Sequence, residues 1–278
     1  MAISVLKIES PDKKGLVYRI TECLCRHDMN ILSNGEFVET ETGRFFMRTE
    51  VEGEADKETL QDELRKVLPS EADIEWSDPR PKKIVVLASK EPHCLGDILV
   101  RCQFGEMNAH LLGVIANHDR LRSLVEPLGH PFHLVPHTDI SREEHEAAIM
   151  TILDDLAPDY IVLAKYMRIL TPALVSRYSR RIINIHHSFL PAFIGANPYR
   201  QAYERGVKII GATAHFVTNN LDEGPIIAQD VFRVLHGFSP AQMAKAGHNV
   251  EKHVLNRAMY LVLENRVFIS GNKTIIFE

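Results

Sequence analysis

The sequence predicts an α/β fold in two parts: an N-terminal ferredoxin-like α+β domain, then a doubly wound domain built on a mostly parallel sheet. Three observations carry this. Residues 3–76 set strand-like and helix-like periods in the order β-α-β-β-α-β. Ser77-Asp78-Pro79-Arg80-Pro81-Lys82-Lys83 then breaks the rhythm with two prolines, several charges and no apolar period. From Ile84 onward strands and helices alternate, starting with Ile84–Ser89, a continuous apolar run of the kind buried on both faces of a parallel sheet. The expected division is 1–78, a linker at 79–83, and 84–278.

Residues 3–9 alternate apolar and polar and read as a strand, and Ser10-Pro11-Asp12-Lys13-Lys14-Gly15 as a turn. Leu16, Ile20, Cys23 and Leu24 recur at helical spacing. Strands follow from Asn30 to about Phe37 and from Arg44 to Val51. A charged helix near Ala55–Leu68 and a short strand at Ile74-Glu75-Trp76 complete the first part. In the second part, Ser141-Arg142-Glu143-Glu144 is a capping box that opens a helix through Leu156. The spacing also predicts helices at Cys94–Phe104, Asp119–Pro127, Pro172–Tyr178 and Ser239 to about Asn265. Strands are expected at Leu111–Ala116, Phe132–Val135, Tyr160–Ala164, Ile182–Ile185, Gly211–Val217, Ile226–Val234 and Lys273–Phe277.

With 278 residues, 45% of them apolar, and a net charge of −5, the chain has ordinary globular composition and no basic surplus for nucleic acid. No apolar stretch reaches membrane-spanning length, and the first residues lack the pattern of a signal peptide. Four cysteines are too few for a disulfide framework in a chain this long, which points to a reducing cytoplasm. No histidine–cysteine set has metal-ligand spacing, so no metal is expected.

The chemistry concentrates in Asn184-Ile185-His186-His187-Ser188-Phe189-Leu190-Pro191, at the end of a strand. Residues two apart on a strand share a face, so Asn184 and His186 are expected to project together and His187 away from them. Asn184 offers an amide donor to a carbonyl oxygen, and His186 an acid or base near neutral pH. The acidic turn Leu221-Asp222-Glu223-Gly224-Pro225-Ile226-Ile227 supplies Asp222, and the two stretches are expected to meet at one site. After Ile84–Ser89 the loop is Lys90-Glu91-Pro92-His93-Cys94-Leu95-Gly96, without the glycines that bring backbone N–H groups to a phosphate. There is no Gly-x-Ser-x-Gly elbow, which favours water over a serine as nucleophile.

On these residues the second part resembles the folate-dependent formyltransferase family, over about residues 83–278. The resemblance rests on residues 184–191, on Gly211 to Thr218, and on Leu221-Asp222-Glu223-Gly224-Pro225-Ile226-Ile227. It implies a catalytic trio at Asn184, His186 and Asp222. It also implies a folate pocket at Met167, Arg168, Ile169 and Leu170, with backbone contacts along His215, Phe216, Val217, Thr218 and Asn219. His187, where the glycinamide ribonucleotide formyltransferases have proline, and the loop Lys90–Gly96 in place of a Gly-Ser-rich one, resemble instead the branch that hydrolyses 10-formyltetrahydrofolate to tetrahydrofolate and formate. Transfer to an amine such as glycinamide ribonucleotide is the alternative, and a non-catalytic folate or amino-acid sensor a weaker one. Asn197 stands where the transferases commonly have a histidine supporting the aspartate, so either the relay differs or His187 substitutes. The first part resembles an ACT domain through Asp12-Lys13-Lys14-Gly15-Leu16 and Asn30-Ile31. That likeness implies an amino-acid effector near Asp12, Gly15, Leu16, Asn30 and Ile31, and a homo-oligomer, dimer or tetramer. The family implies no cofactor beyond the folate substrate.

Overall fold

The computed structural model describes residues 3–77, 80–191 and 198–278. The chain forms two compact units: the first is Met1–Arg80 with Asn265–Phe268 and Ile276–Glu278, and the second is Pro81–Glu264 with Ile269–Ile275.

In the first unit β1 (Ile3–Pro11), α1 (Leu16–Arg26), β2 (Asn30–Glu39), β3 (Arg44–Glu52), α2 (Lys57–Val67) and β4 (Asp73–Ser77) follow in the expected order. The sheet runs β2-β3-β1-β4 with every neighbour antiparallel. Alternation along β1 turns Leu6 and Ile8 inward, where they meet Leu16, Ile20, Cys23 and Leu24 of α1 and Leu60 and Leu64 of α2. β3 is buried on both faces. Behind the core-facing row, Phe46 meets Phe268 edge-on at 5.5 Å, and the Arg48 Nε donates to the Asn265 carbonyl at 3.0 Å. The C-terminal residues thus complete the second face of this sheet.

The second unit contains β5 (Lys82–Ala88), α3 (His93–Gln103), β6 (Ala109–Ala116), α4 (Arg122–Val125), β7 (Phe132–Leu134), α5 (Arg142–Leu156) and β8 (Tyr160–Ala164). It continues with α6 (Pro172–Arg177), β9 (Ile182–His186), α7 (Pro198–Glu204), β10 (Ile209–Phe216), β11 (Ile226–Arg233) and α8 (Pro240–Leu263); β12 (Val267–Ser270) and β13 (Lys273–Ile276) follow. Strand order is β11-β10-β9-β8-β5-β6-β7. Pairs from β7 across to β9 are parallel, and β10 is antiparallel to both β9 and β11. Residues Ile84 to Ala88 are completely buried, as a central strand of such a sheet requires.

Some expectations need correction. The helix expected over Asp119–Pro127 is α4 flanked by 3₁₀ turns at Asp119–Leu121 and Glu126–Leu128, because Pro127 has no N–H to continue an α ladder. Helix α7, opened by Pro198, and strand β12 went unforeseen. Asn197, one of the positions the resemblance singles out, lies outside the described residues.

Because β5, β6 and β7 run outward in one direction and the chain then returns to β8 on the other side of β5, the order reverses between β5 and β8. In open α/β sheets ligands collect outside the carboxyl ends of the strands at such a reversal.

Candidate active site

Register brings the polar residues together. β9 and β10 pair with Asn184 opposite His215 and His186 opposite Thr213, so Asn184 and His215 occupy neighbouring positions on one face. The Asn184 Nδ2 lies 3.2 Å from the His215 Nε2. A bulge between Ala214 and His215, where β10 pairs with β11, sits beside this contact. His215 Nδ1 is 2.9 Å from the Phe216 carbonyl. A carbonyl only accepts, so Nδ1 carries the proton, and in neutral His215 the Nε2 accepts from Asn184. The second amide N–H of Asn184 is then left for a ligand.

Asp222 closes the group. Its Oδ2 lies 3.2 Å from His186 Nδ1, and its Oδ1 3.6 Å from His215 Nε2. Desolvation pushes the half-buried carboxyl's pKa up. The hydrogen bond and charge of His186, joined by those of His215 when that ring is protonated, outweigh burial and hold it well below the usual carboxylate range. Among the described residues the buried His186 Nε2 has no partner, although its ring lines the cavity. Among the described residues of the group it is the ring nitrogen left for a substrate.

Two loops carry this geometry. Thr213, fully buried on β10, accepts from the Leu190 N–H at 3.0 Å and donates to the Ser188 carbonyl at 2.9 Å, which pins the turn after β9. Asp222 has φ +56, a left-handed conformation that aspartate and asparagine tolerate better than most residues. Gly224 follows so closely over the Phe216 carbonyl that a Cβ would lie 1.8 Å from its oxygen. Gly224→Ala is therefore expected to displace Asp222 and cut kcat by about 10²-fold, the scale on which a misplacement of roughly 1 Å is felt. Steady-state rates together with Tm check this, and wild-type kcat in the variant would show that the turn does not seat the carboxylate.

The four residues face a cavity of about 500 Å³, within the range typical of small-molecule sites. Met167, Arg168, Ile169 and Leu170 line it, as do His215, Val217, Thr218 and Asn219. Phe216 is buried outside this lining, with its N–H on the Pro225 carbonyl. The Met167–Leu170 loop is braced from α5, where Arg142 donates to the Leu170 carbonyl and the buried Glu146 carboxylate accepts from the Thr171 N–H at 2.8 Å. The Met167 N–H donates to Ser89 Oγ at 3.1 Å.

His187 does not face away. β9 ends at His186, so the alternation stops there, and the His187 ring stacks on His186 at 5.0 Å and lines the same cavity. The His215 side chain brings a second imidazole to Asp222, whereas the sequence reading counted His215 for backbone contacts. An antiparallel β9–β10 pair is the signal that finds it. Lys165 also lines the cavity unforeseen, beside Tyr166. In the first unit, Gly15 takes φ +88 at the N-cap of α1, Leu16 is buried in the core, and Asp12, Asn30 and Ile31 are exposed.

Comparison with known proteins places this architecture. The formyl transferase family profile matches residues 82–259. A formyltetrahydrofolate deformylase of Escherichia coli O6:H1 is 55% identical over 98% of this chain and 97% of that relative. The crystal structure of a formyltetrahydrofolate deformylase from Pseudomonas syringae pv. tomato superposes with a TM-score of 0.95 at 39% identity, covering 100% of this chain and 95% of the other. Glycinamide ribonucleotide transformylase 1 of Symbiobacterium toebii matches at TM-score 0.67 and 31% identity over 74% of this chain and 98% of its own. With identity this high along nearly the whole length of both chains, the chain belongs to the formyltetrahydrofolate deformylase family.

Proposed function

We infer that the cavity holds 10-formyltetrahydrofolate and that Asp222, His186 and Asn184 bring water to its formyl carbon, releasing tetrahydrofolate and formate. The observation that carries this is the linked series Asn184–His215–Asp222–His186, ending in a buried, unpartnered His186 Nε2 at the cavity wall. Asp222 orients the water. With its pKa held low the carboxylate is a weak resting base, so it takes the proton only as the O–C bond forms and the water's acidity rises. Asn184 and protonated His186 hydrogen-bond the developing oxyanion. Collapse of the tetrahedral intermediate breaks the C–N10 bond, and His186 protonates the departing nitrogen. The reaction is redox-neutral and these side chains carry each proton, so the proposed route calls on no metal or cofactor.

Purified protein given 10-formyltetrahydrofolate alone is expected to release formate and tetrahydrofolate in equal amounts. Turnover that begins only when glycinamide ribonucleotide or another amine is added would make it a transferase, the reading favoured by the 31% identical transformylase. The first unit's β-α-β-β-α-β order and its glycine turn at Gly15 support an ACT-like module. We assign to it an amino-acid effector near Asp12, Gly15, Leu16, Asn30 and Ile31 and a part in homo-oligomer formation. Among the described residues no helix is long and apolar enough to cross a membrane. A cytoplasmic location, expected from the thiols, belongs to the same proposal.

A further inference from the structure

The crevice between the carboxyl ends of β5 and β8, where the strand order reverses, is the place at which such a sheet ordinarily admits a ligand. Here side chains fill it. Glu251 reaches up from α8 with no exposed surface. Its Oε2 meets His93 Nε2 at 2.7 Å, at the start of α3 after β5, and Lys165 Nζ at 3.2 Å, directly after β8. Its Oε1 accepts from the Tyr199 hydroxyl of α7. Burial raises the Glu251 pKa. The His93 hydrogen bond, the Lys165 charge and the Tyr199 hydrogen bond outweigh it and bring the group down to about 2, so the carboxylate is ionised and both its oxygens are engaged. Tyr199 is seated by Gly247, where a Cβ would lie 2.2 Å from its ring and hydroxyl. His93, Cys94 and Glu251 have donor atoms within 4.8 Å of one another, but the cation that this carboxylate holds is the Lys165 ammonium itself.

Lys165 alone of these residues lines the catalytic cavity, together with Asn184, His186 and Asp222. It does so from φ +60, a left-handed conformation that lysine rarely adopts. The reaction chemistry proposed above uses neither Lys165 nor Glu251. A polar acceptor entering at the strand reversal would need free donors and acceptors, and there both Glu251 oxygens and the Lys165 ammonium are already paired, with His93 Nδ1 the one buried cluster atom lacking a partner among the described residues. Lys165 also presents a positive charge to any amine, which in neutral water approaches largely as an ammonium ion.

We propose that Lys165, clamped by Glu251, is a specificity-determining residue that closes the strand-reversal crevice to amine acceptors and leaves water as the nucleophile. This rests on the hydrolysis proposed above. With the crevice opened, a primary amine reacts instead: its nitrogen bonds to the formyl carbon, the C–N10 bond breaks, and the amine's proton ends on N10.

The test gives the full-length protein 10-formyltetrahydrofolate with excess glycinamide and reads formate and N-formylglycinamide from the same reaction. Wild type is expected to yield formate with only background formylglycinamide. In Lys165→Ala the ratio of formylglycinamide to formate is expected to rise about tenfold or more over that background, the scale of discrimination one small change in a pocket carries. Glu251→Gln, which removes the charge that holds Lys165, shifts the ratio in the same direction. Lys165→Met, which restores the bulk, brings it back toward wild type. A merely structural role lowers both products together. An unchanged ratio in Lys165→Ala and Glu251→Gln, each folded by its Tm, therefore overturns the proposal; if Lys165→Ala does not fold, Glu251→Gln decides alone. Absence of formate from the wild type would bring down the hydrolysis itself, a separate outcome.

Discussion

Asp222→Asn is expected to lower kcat for formate release by about 10²- to 10⁴-fold, the usual worth of a positioned proton-transfer group, with little change in folate affinity. The substitution isolates the charge. Asparagine fits the space and accepts the φ of +56 at this position, so the turn is preserved. What is lost is the anion between His186 Nδ1 and His215 Nε2. Stability changes with it in a defined direction. A carboxyl whose pKa is lowered on folding contributes stability that is present above its unfolded pKa, about 3.9, and is lost as pH falls through the folded value. The variant is therefore expected to melt below wild type at neutral pH, with the gap narrowing under strong acid. Turnover at the wild-type rate, with folate bound normally, would remove Asp222 from the mechanism.

Asn184→Ala is expected to reduce kcat by about 10²- to 10³-fold, as loss of one preorganised oxyanion donor does elsewhere. Two hydrogen bonds leave together: the amide aimed at the formyl oxygen and the contact to His215 Nε2. The first acts on the transition state and should appear in kcat. The second loosens the imidazole behind Asp222 and should appear in the pH profile. Single-turnover formate release at saturating substrate, compared with tetrahydrofolate binding, checks the assignment. A change confined to KM would make Asn184 a binding residue.

Much of this fold could be read locally. The β-α-β-β-α-β order of the first unit follows from periods of two and 3.6 residues, which each segment carries within itself. The capping box at Ser141 opens α5 as its four residues imply. The approach of Asn184, His186 and Asp222 was also legible, because two unusual polar runs end strands of one sheet. Pairing direction between strands distant in sequence was not. β10 runs antiparallel to β9, and that reversal places His215 opposite Asn184 and behind Asp222. His187 was misplaced because alternation holds only while the strand lasts, and β9 stops one residue earlier. Glu251 was invisible for another reason: on a long helix one acidic residue reads as solvent-facing, and only tertiary packing brings Lys165, His93 and Tyr199 to it.

The second face of the first unit's sheet has a practical consequence. Phe46 and Arg48 find their cover in Phe268 and Asn265, and Phe277 packs against Phe268 at 5.5 Å and occupies the space beside Gly35. This unit is encoded discontinuously, with the second threaded through it as an insertion. A gene fragment that stops after Arg80 is thus an incomplete module with a bared aromatic face. Effector binding is better sought in a circular permutant or a fused minigene that carries residues 265–278 back to the first eighty.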